Sequence, residues 1–199
     1  YKIKGGFVGA PIMCRVMAEN NMEEEAFYFL LQEGYPGWMH CINLGATTIW
    51  ERWNSVLDSG LLSGTMMNSL NHYSFGTIVE YLYRNVAGLK ALEAGFKKAL
   101  ITPLINQKLK YMKMSYDSAY GVYRIEWEIL KNGNIHVEVE IPFECSAVIM
   151  LPFYEGEVIE VETGIYNYNY KPTTDLRVLY TKKTLFKDMV KNPEAVEII

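Results

Sequence analysis

The chain is short of several things. Its 199 residues hold three cysteines, Cys14, Cys41 and Cys145, an odd number spread far apart in apolar surroundings. No C-x-x-C pair and no His/Cys ligand spacing accompanies them, so they read as buried, reduced thiols and not as a zinc site. Basic charge is not in excess: the net charge is -4, which lacks the electrostatic footprint of a nucleic-acid binder. No apolar run approaches the length needed to span a bilayer, and no signal-peptide pattern is seen. The expectation is therefore a protein with no cofactor, no metal, and no nucleic-acid or membrane partner. What is present is apolar material. Half of the residues are hydrophobic, enough to bury a core and too many for a disordered segment. The length suits one large or two small domains.

The first half has helical periodicity. Gly5-Gly6 and Gly9 with Pro11 mark a loop entering a helix, with Pro in its first turn. Ile12, Met13, Val16 and Met17 form an apolar stripe that reads as core. Asn20-Asn21 ends this helix, and Asn21 stands three residues before Glu24, the spacing of a capping box. Ala26, Phe27, Leu30 and Leu31 then bury one face, and Gly34 closes the second helix. Two helices joined by a short polar turn make an αα-hairpin. Tyr35-Pro36-Gly37 reads as a type II turn with Trp38 on the loop behind it. Residues 55–65 form a Gly/Ser/Asp loop, a pocket rim or a plain connection. Asn68 to Asn85 predicts one helix, with Leu70, Ser74, Ile78 and Tyr81 on one face and His72, Gly76 and Tyr83 on another. Gly76 in mid-helix costs stability unless a neighbour must come close.

The chemistry concentrates between these helices. Gly45-Ala46-Thr47-Thr48-Ile49-Trp50-Glu51-Arg52-Trp53 sets one carboxylate among two tryptophans and an arginine. Asn68-Ser69-Leu70-Asn71-His72-Tyr73 adds an imidazole. Thr48 and Glu51 have capping-box spacing, so one reading of Glu51 is a helix cap bonded to the Thr48 amide. The other reading is chemical. A carboxylate activates water, aromatic rings stack on the C–H faces of a pyranose, and imidazole or amide groups hydrogen-bond its hydroxyls. Trp50 and Trp53, three apart, share a face if this stretch is helical. Arg52 diverges from Glu51 and is expected to meet a different carboxylate.

These same residues carry a resemblance. Gly45 to Trp53 and Met67-Asn68-Ser69-Leu70-Asn71-His72-Tyr73-Ser74-Phe75-Gly76 resemble the C-terminal part of the bacterial α-L-rhamnosidase catalytic domain. Gly6-Phe7-Val8-Gly9-Ala10-Pro11 and Tyr35-Pro36-Gly37-Trp38 fit more loosely. The resemblance implies an (α/α)6 barrel followed by a C-terminal β-sandwich, and inverting hydrolysis of terminal α-L-rhamnosides in rhamnose-containing glycosides. It implies Glu51 as catalytic general base, with His72, Trp38, Trp50 and Trp53 binding the sugar. The matching general acid would lie upstream of this stretch. With the barrel incomplete and Tyr1 at the start, the chain is expected to be a portion of a longer protein, inactive alone and prone to self-associate through exposed helix faces. Cytoplasm and periplasm stay open, since a targeting signal would also lie upstream.

From Lys97 the period changes to two. Tyr123, Ile125, Trp127 and Ile129 alternate with Arg124, Glu126 and Glu128. Lys131-Asn132-Gly133-Asn134 supplies a hairpin signal, and Ile135, Val137, Val139 and Ile141 alternate in turn. Ala147 to Leu151 and Glu157 to Glu162 read as further strands of an antiparallel β-sandwich. The Tyr116 to Gly121 turn and the tyrosines of 166–170 read either as carbohydrate-binding or, as expected here, as edge-strand aromatics packed against the helical barrel. The fold class is α+β in two parts: residues 1–95 helical, residues 96–181 a sandwich, and 182–199 a helical tail opened by Asn192-Pro193-Glu194. Two rival functions remain beside the rhamnosidase reading. One is a non-catalytic carbohydrate-binding or structural module, and the other a different α/α-barrel glycosidase or lyase.

Overall fold

The computed structural model describes residues 2–64 and 66–177, together with Met189 and Val196. The expected helical tail lies outside the described residues, apart from those last two. The rest has the two-part α+β architecture: helices first, then a two-sheet sandwich.

Helices α1 (Gly9–Ala18) and α2 (Glu23–Leu31) form the expected hairpin. They meet through Ala10 and Cys14 of α1 and Ala26, Phe27 and Leu30 of α2. Small residues on α1 let large ones on α2 approach. The apolar stripe is only half core. Met13 and Met17 pack inward, but Ile12 and Val16 are exposed, 48% for Val16. Asn21 makes the turn in the left-handed region, φ 59°, which asparagine tolerates better than most residues. The Asn21/Glu24 capping box does not form. Met22 occupies the cap, and Glu24 reaches instead to Asn106 and Lys108. Helix α2 stops at Leu31, before Gly34.

Trp38 opens a short helix, α3 (Trp38–Asn43), rather than standing on a loop. The preceding turn is not type II, because Gly37 is extended at φ 174° where that turn needs a left-handed residue. Gly45, φ 89°, ends α3, with the Gly45 and Ala46 amides donating to the carbonyls of Ile42 and Cys41.

The long helix expected over 68–85 begins later. It runs over residues 74–86 as a 3-10 turn (Ser74–Ile78), an α-turn (Val79–Tyr81) and a π-turn (Leu82–Val86). Residues 68–73 are withheld from it because their backbone pairs with residues 49–51. Ser74, Ile78 and Tyr81 do face the core. Gly76 has the close neighbour its position demanded: a Cβ there would stand 3.1 Å from Ile49 Cγ1.

The sandwich begins at Leu89, ahead of the change of period at Lys97. Strands β1 (Leu89–Ala91), β2 (Lys98–Ile101), β6 (Ser146–Ile149) and β7 (Ile159–Val161) form one sheet. Strands β3 (Tyr111–Ser118), β4 (Gly121–Ile129), β5 (Ile135–Ile141) and β8 (Gly164–Tyr170) form the other, antiparallel throughout. In the first sheet β2 and β6 are parallel, a pairing between strands far apart in sequence that alternation alone does not reveal. Tyr123, Ile125 and Trp127 of β4 and Ile135, Val137, Val139 and Ile141 of β5 point inward as the period of two requires. The tyrosines of edge strand β8 pack within the sandwich and not on the barrel. Tyr166, Tyr168 and Tyr170 line its inner side, and the Tyr170 hydroxyl donates to the Pro152 carbonyl at 2.9 Å.

The two parts are joined through main-chain groups. The indole N–H of fully buried Trp127 donates to the Val86 carbonyl at the end of the 74–86 helix, 3.0 Å. The Leu104 amide donates to the Asn85 carbonyl at 2.9 Å. Between them Gly88 stands at φ 83°, where a Cβ would fall 2.2 Å from the Thr102 carbonyl carbon. Only glycine fits.

Candidate active site

Residues 45–53 are not helical, so Glu51 caps nothing. The stretch lies antiparallel to residues 69–72. The Glu51 amide donates to the Ser69 carbonyl (2.9 Å), and the His72 amide to the Ile49 carbonyl (2.7 Å). The Thr48 hydroxyl donates to the Leu70 carbonyl. These bonds lock together the two segments that carry the carboxylate and the imidazole.

Glu51 is half-buried. Its Oε2 accepts the Ser69 backbone N–H at 2.7 Å, while Oε1 accepts no hydrogen bond from any described residue. One oxygen is thus fixed by main chain, and the other has no partner among the described residues. A bond of this kind fixes one oxygen and with it the direction of the other. Arg52 does not meet a carboxylate among the described residues. Its guanidinium donates to the Met66 carbonyl at 3.4 Å, and its amide to Ser55 Oγ at 3.0 Å.

His72 is held in a stack of rings. Phe7 lies on the imidazole at 4.9 Å and 27°, and Tyr73 at 5.5 Å and 9°. Its Nδ1 accepts the Ser74 N–H at 3.4 Å, so in the neutral ring the proton sits on Nε2. His72 therefore carries its N–H donor on Nε2. Phe7 was not readable as part of this arrangement, because its contact with His72 spans 65 positions and leaves no local pattern.

The three tryptophans converge on one place. Trp38, Trp50 and Trp53, with Phe75 and Ile49, line a cavity of about 260 Å³. Trp53 stacks on Phe75 at 3.9 Å, and Trp38 meets Trp53 edge-on at 5.1 Å. Trp38 is 8% exposed and its indole N–H donates to the Phe75 carbonyl at 2.9 Å, so it offers a ring edge and no free donor. Trp50 and Trp53 do not share a helix face. Trp50 is buried and Trp53 half-buried, and a turn separates them. Glu51 and His72 do not line this cavity; they sit beside it on the paired segments. Cys41 lines its base, and burial pushes that thiol up to about 11, so it stays protonated at neutral pH and is no nucleophile. Residues 55–64 of the expected loop form a small hairpin closed by a Val56/Leu62 bridge and tied down by the Asn68 amide, a connection and not a lining of the cavity; Thr65 lies outside the described residues.

Helical hairpins seated on a two-sheet sandwich, with the polar cluster on the helical side, define a helical-hairpin domain followed by a β-sandwich domain. Comparison with known proteins narrows this class. The bacterial α-L-rhamnosidase six-hairpin glycosidase domain matches residues 1–86, and the bacterial α-L-rhamnosidase C-terminal domain matches residues 88–166. The chain is 34% identical over 185 residues to an α-L-rhamnosidase of Formosa agariphila, covering 93% of this chain and 19% of that protein. It is 38% identical over 157 residues to one of an Alteromonas species, covering 78% and 17%. Among solved structures, the native α-L-rhamnosidase of Aspergillus terreus superposes with a TM-score of 0.80 at 27% identity, over 85% of this chain and 20% of that one. The α-L-rhamnosidase of Streptomyces avermitilis, solved with L-rhamnose, gives 0.76 at 27% identity over 83% and 18%. The chain belongs to the bacterial α-L-rhamnosidase family of glycoside hydrolases. It spans about a fifth of the length of the curated relatives it matches.

Proposed function

We propose that the enzyme carrying this chain hydrolyses terminal α-L-rhamnosides with inversion, and that Glu51 is its general base. The observation that carries this reading is the free Oε1 of a carboxylate whose other oxygen is pinned by the Ser69 amide. Oε1 takes a proton from a water, which attacks the anomeric carbon from the face opposite the leaving group. His72 donates Nε2–H to a sugar hydroxyl, and the tryptophan-lined cavity walls the ring, so that water and anomeric carbon meet in line. Protonation of the leaving oxygen needs a second carboxyl on the other side of the ring, about 6.5–9.5 Å from Glu51 in an inverting enzyme. No side chain of this chain is assigned that task. We infer that the acid comes from the remainder of the enzyme and that the chain alone is inactive.

The experiment is hydrolysis of an aryl α-L-rhamnoside by the complete enzyme with and without Glu51→Gln. The expected loss is about 10²–10⁴-fold in kcat with rhamnose binding retained. An unchanged kcat would remove Glu51 from the mechanism. Hydrolysis by the 199-residue chain itself would show that the acid is within it.

We further infer that the chain alone self-associates. Among the described residues, seventeen of the exposed large apolar side chains lie in residues 1–86 and eight in 88–177. Where such side chains adjoin, they offer apolar surface for association.

A further inference from the structure

The seam between the 74–86 helix and the sandwich holds a second cleft, about 570 Å³, which shares no lining residue with the tryptophan cavity. A volume of this size accommodates a small ligand. Its walls are aromatic. Tyr83 and Tyr116 meet edge-to-face at 6.1 Å, and Phe96 leans on Tyr116 at 4.7 Å. Tyr83 is anchored by its hydroxyl, which donates to the Ser115 carbonyl of edge strand β3 at 3.3 Å. Phe96 takes its place at a cost. It sits at φ 65°, a conformation that bulky residues avoid, and its carbonyl is held by the Tyr123 hydroxyl at 2.6 Å.

The charges of the cleft are unequal. Glu80 is already matched by Arg15 at 2.7 Å, and Arg84 lies 3.5 Å from Glu19. Lys90, from β1, forms no ion pair among the described residues. The cleft therefore combines an aromatic wall, suited to the C–H surface of a sugar, with an ammonium that has no ion-pair partner among the described residues. We propose that it binds a pyranose bearing a carboxylate, the ring against Tyr83 and Tyr116 and the carboxylate on Lys90. This site is non-catalytic, and it stands or falls independently of Glu51. It would hold an acidic glycan on the enzyme at a distance from the reacting bond.

The test is an NMR titration of the 199-residue chain with methyl α-D-glucuronide, methyl α-D-glucoside and methyl α-L-rhamnoside. The expected result is saturable shifts at Lys90, Tyr83 and Tyr116 with the glucuronide, in the millimolar range. The uncharged glycosides should bind about fivefold or more weakly, the value of one exposed charge pair. Lys90→Gln, a change at a half-buried strand position, should erase that preference. Tyr116→Phe should leave the fold intact and keep binding, since the ring face is retained. No saturable shift at these residues, or shifts confined to Glu51 and His72, would overturn the proposal. A preference for the glucuronide that survives Lys90→Gln would overturn the assigned role of Lys90.

Discussion

His72 shows how much one side chain depends on distant neighbours. Its backbone is fixed by Ile49, its ring by Phe7 and Tyr73, and its tautomer by the Ser74 amide. A donor held this rigidly loses little entropy on meeting a sugar hydroxyl. His72→Ala in the complete enzyme should therefore lower kcat/KM for an aryl rhamnoside by about 10–100-fold, the value of one hydrogen bond to a well-placed donor. Steady-state kinetics decides it, and an unaltered kcat/KM would leave His72 as a packing residue. The setting of Glu51 was only half legible at this scale. Its Thr-x-x-Glu spacing suggested a cap, yet the bond it makes is to Ser69, eighteen positions away. Spacing signals a capping box only where a helix exists to be capped.

At the scale of elements, the decisive feature is where the 74–86 helix starts and stops. Its start is set by the pairing of residues 49–51 with 69–72, which takes the amides a longer helix would need. Its end is set by Gly88, the one residue type that can turn the chain past the Thr102 carbonyl. Gly88→Ala should destabilise the chain by about 3 kcal/mol or more, since it combines left-handed strain with a contact against main chain that cannot move aside. Thermal or urea unfolding measures this, and a loss below about 1 kcal/mol would show that the seam rearranges freely. The β-hairpin of β4 and β5 was legible to within two residues, because alternation of apolar and charged side chains is a local signal. The parallel contact of β2 with β6 was not, because it joins residues 48 positions apart.

At the scale of the whole molecule, a polar side-chain bridge adds to the Trp127 and Tyr83 hydrogen bonds that tie the helices to the sandwich. Glu24 of α2 accepts from Lys108 at 3.0 Å and from Asn106 at 2.6 Å. The Lys108 hydrogen bond is the chief cause that holds the Glu24 carboxyl below 4.5, its usual value, with Asn106 helping and desolvation opposing. A depressed carboxyl stabilises the fold above its unfolded value and loses that contribution as pH falls through its folded value. Glu24→Gln should therefore cost stability at pH 7 and much less at pH 3. The effect stays within about 1 kcal/mol because the pair is largely exposed. Equal destabilisation at both pH values would mean that the carboxylate charge plays no part. The exposed apolar faces of the helical part lead to a further expectation. Sedimentation velocity on the 199-residue chain should show a concentration-dependent rise in mass, and a monomer at all concentrations would contradict it.

The sequence by itself determined the architecture in order: helical periodicity, then alternation, then the Glu51 and His72 motifs that mark the family. Those signals are local, carried by residues within a turn or a strand of each other. Tertiary structure alone decided what each motif touches. It turned a supposed cap into a carboxylate with one oxygen unbonded among the described residues, moved Trp38 into a helix, gave Phe7 a place on His72, and turned Ile12 and Val16 away from the core. Each of these depends on groups far apart in sequence meeting in space, and a linear pattern records which face is apolar but not what will cover it.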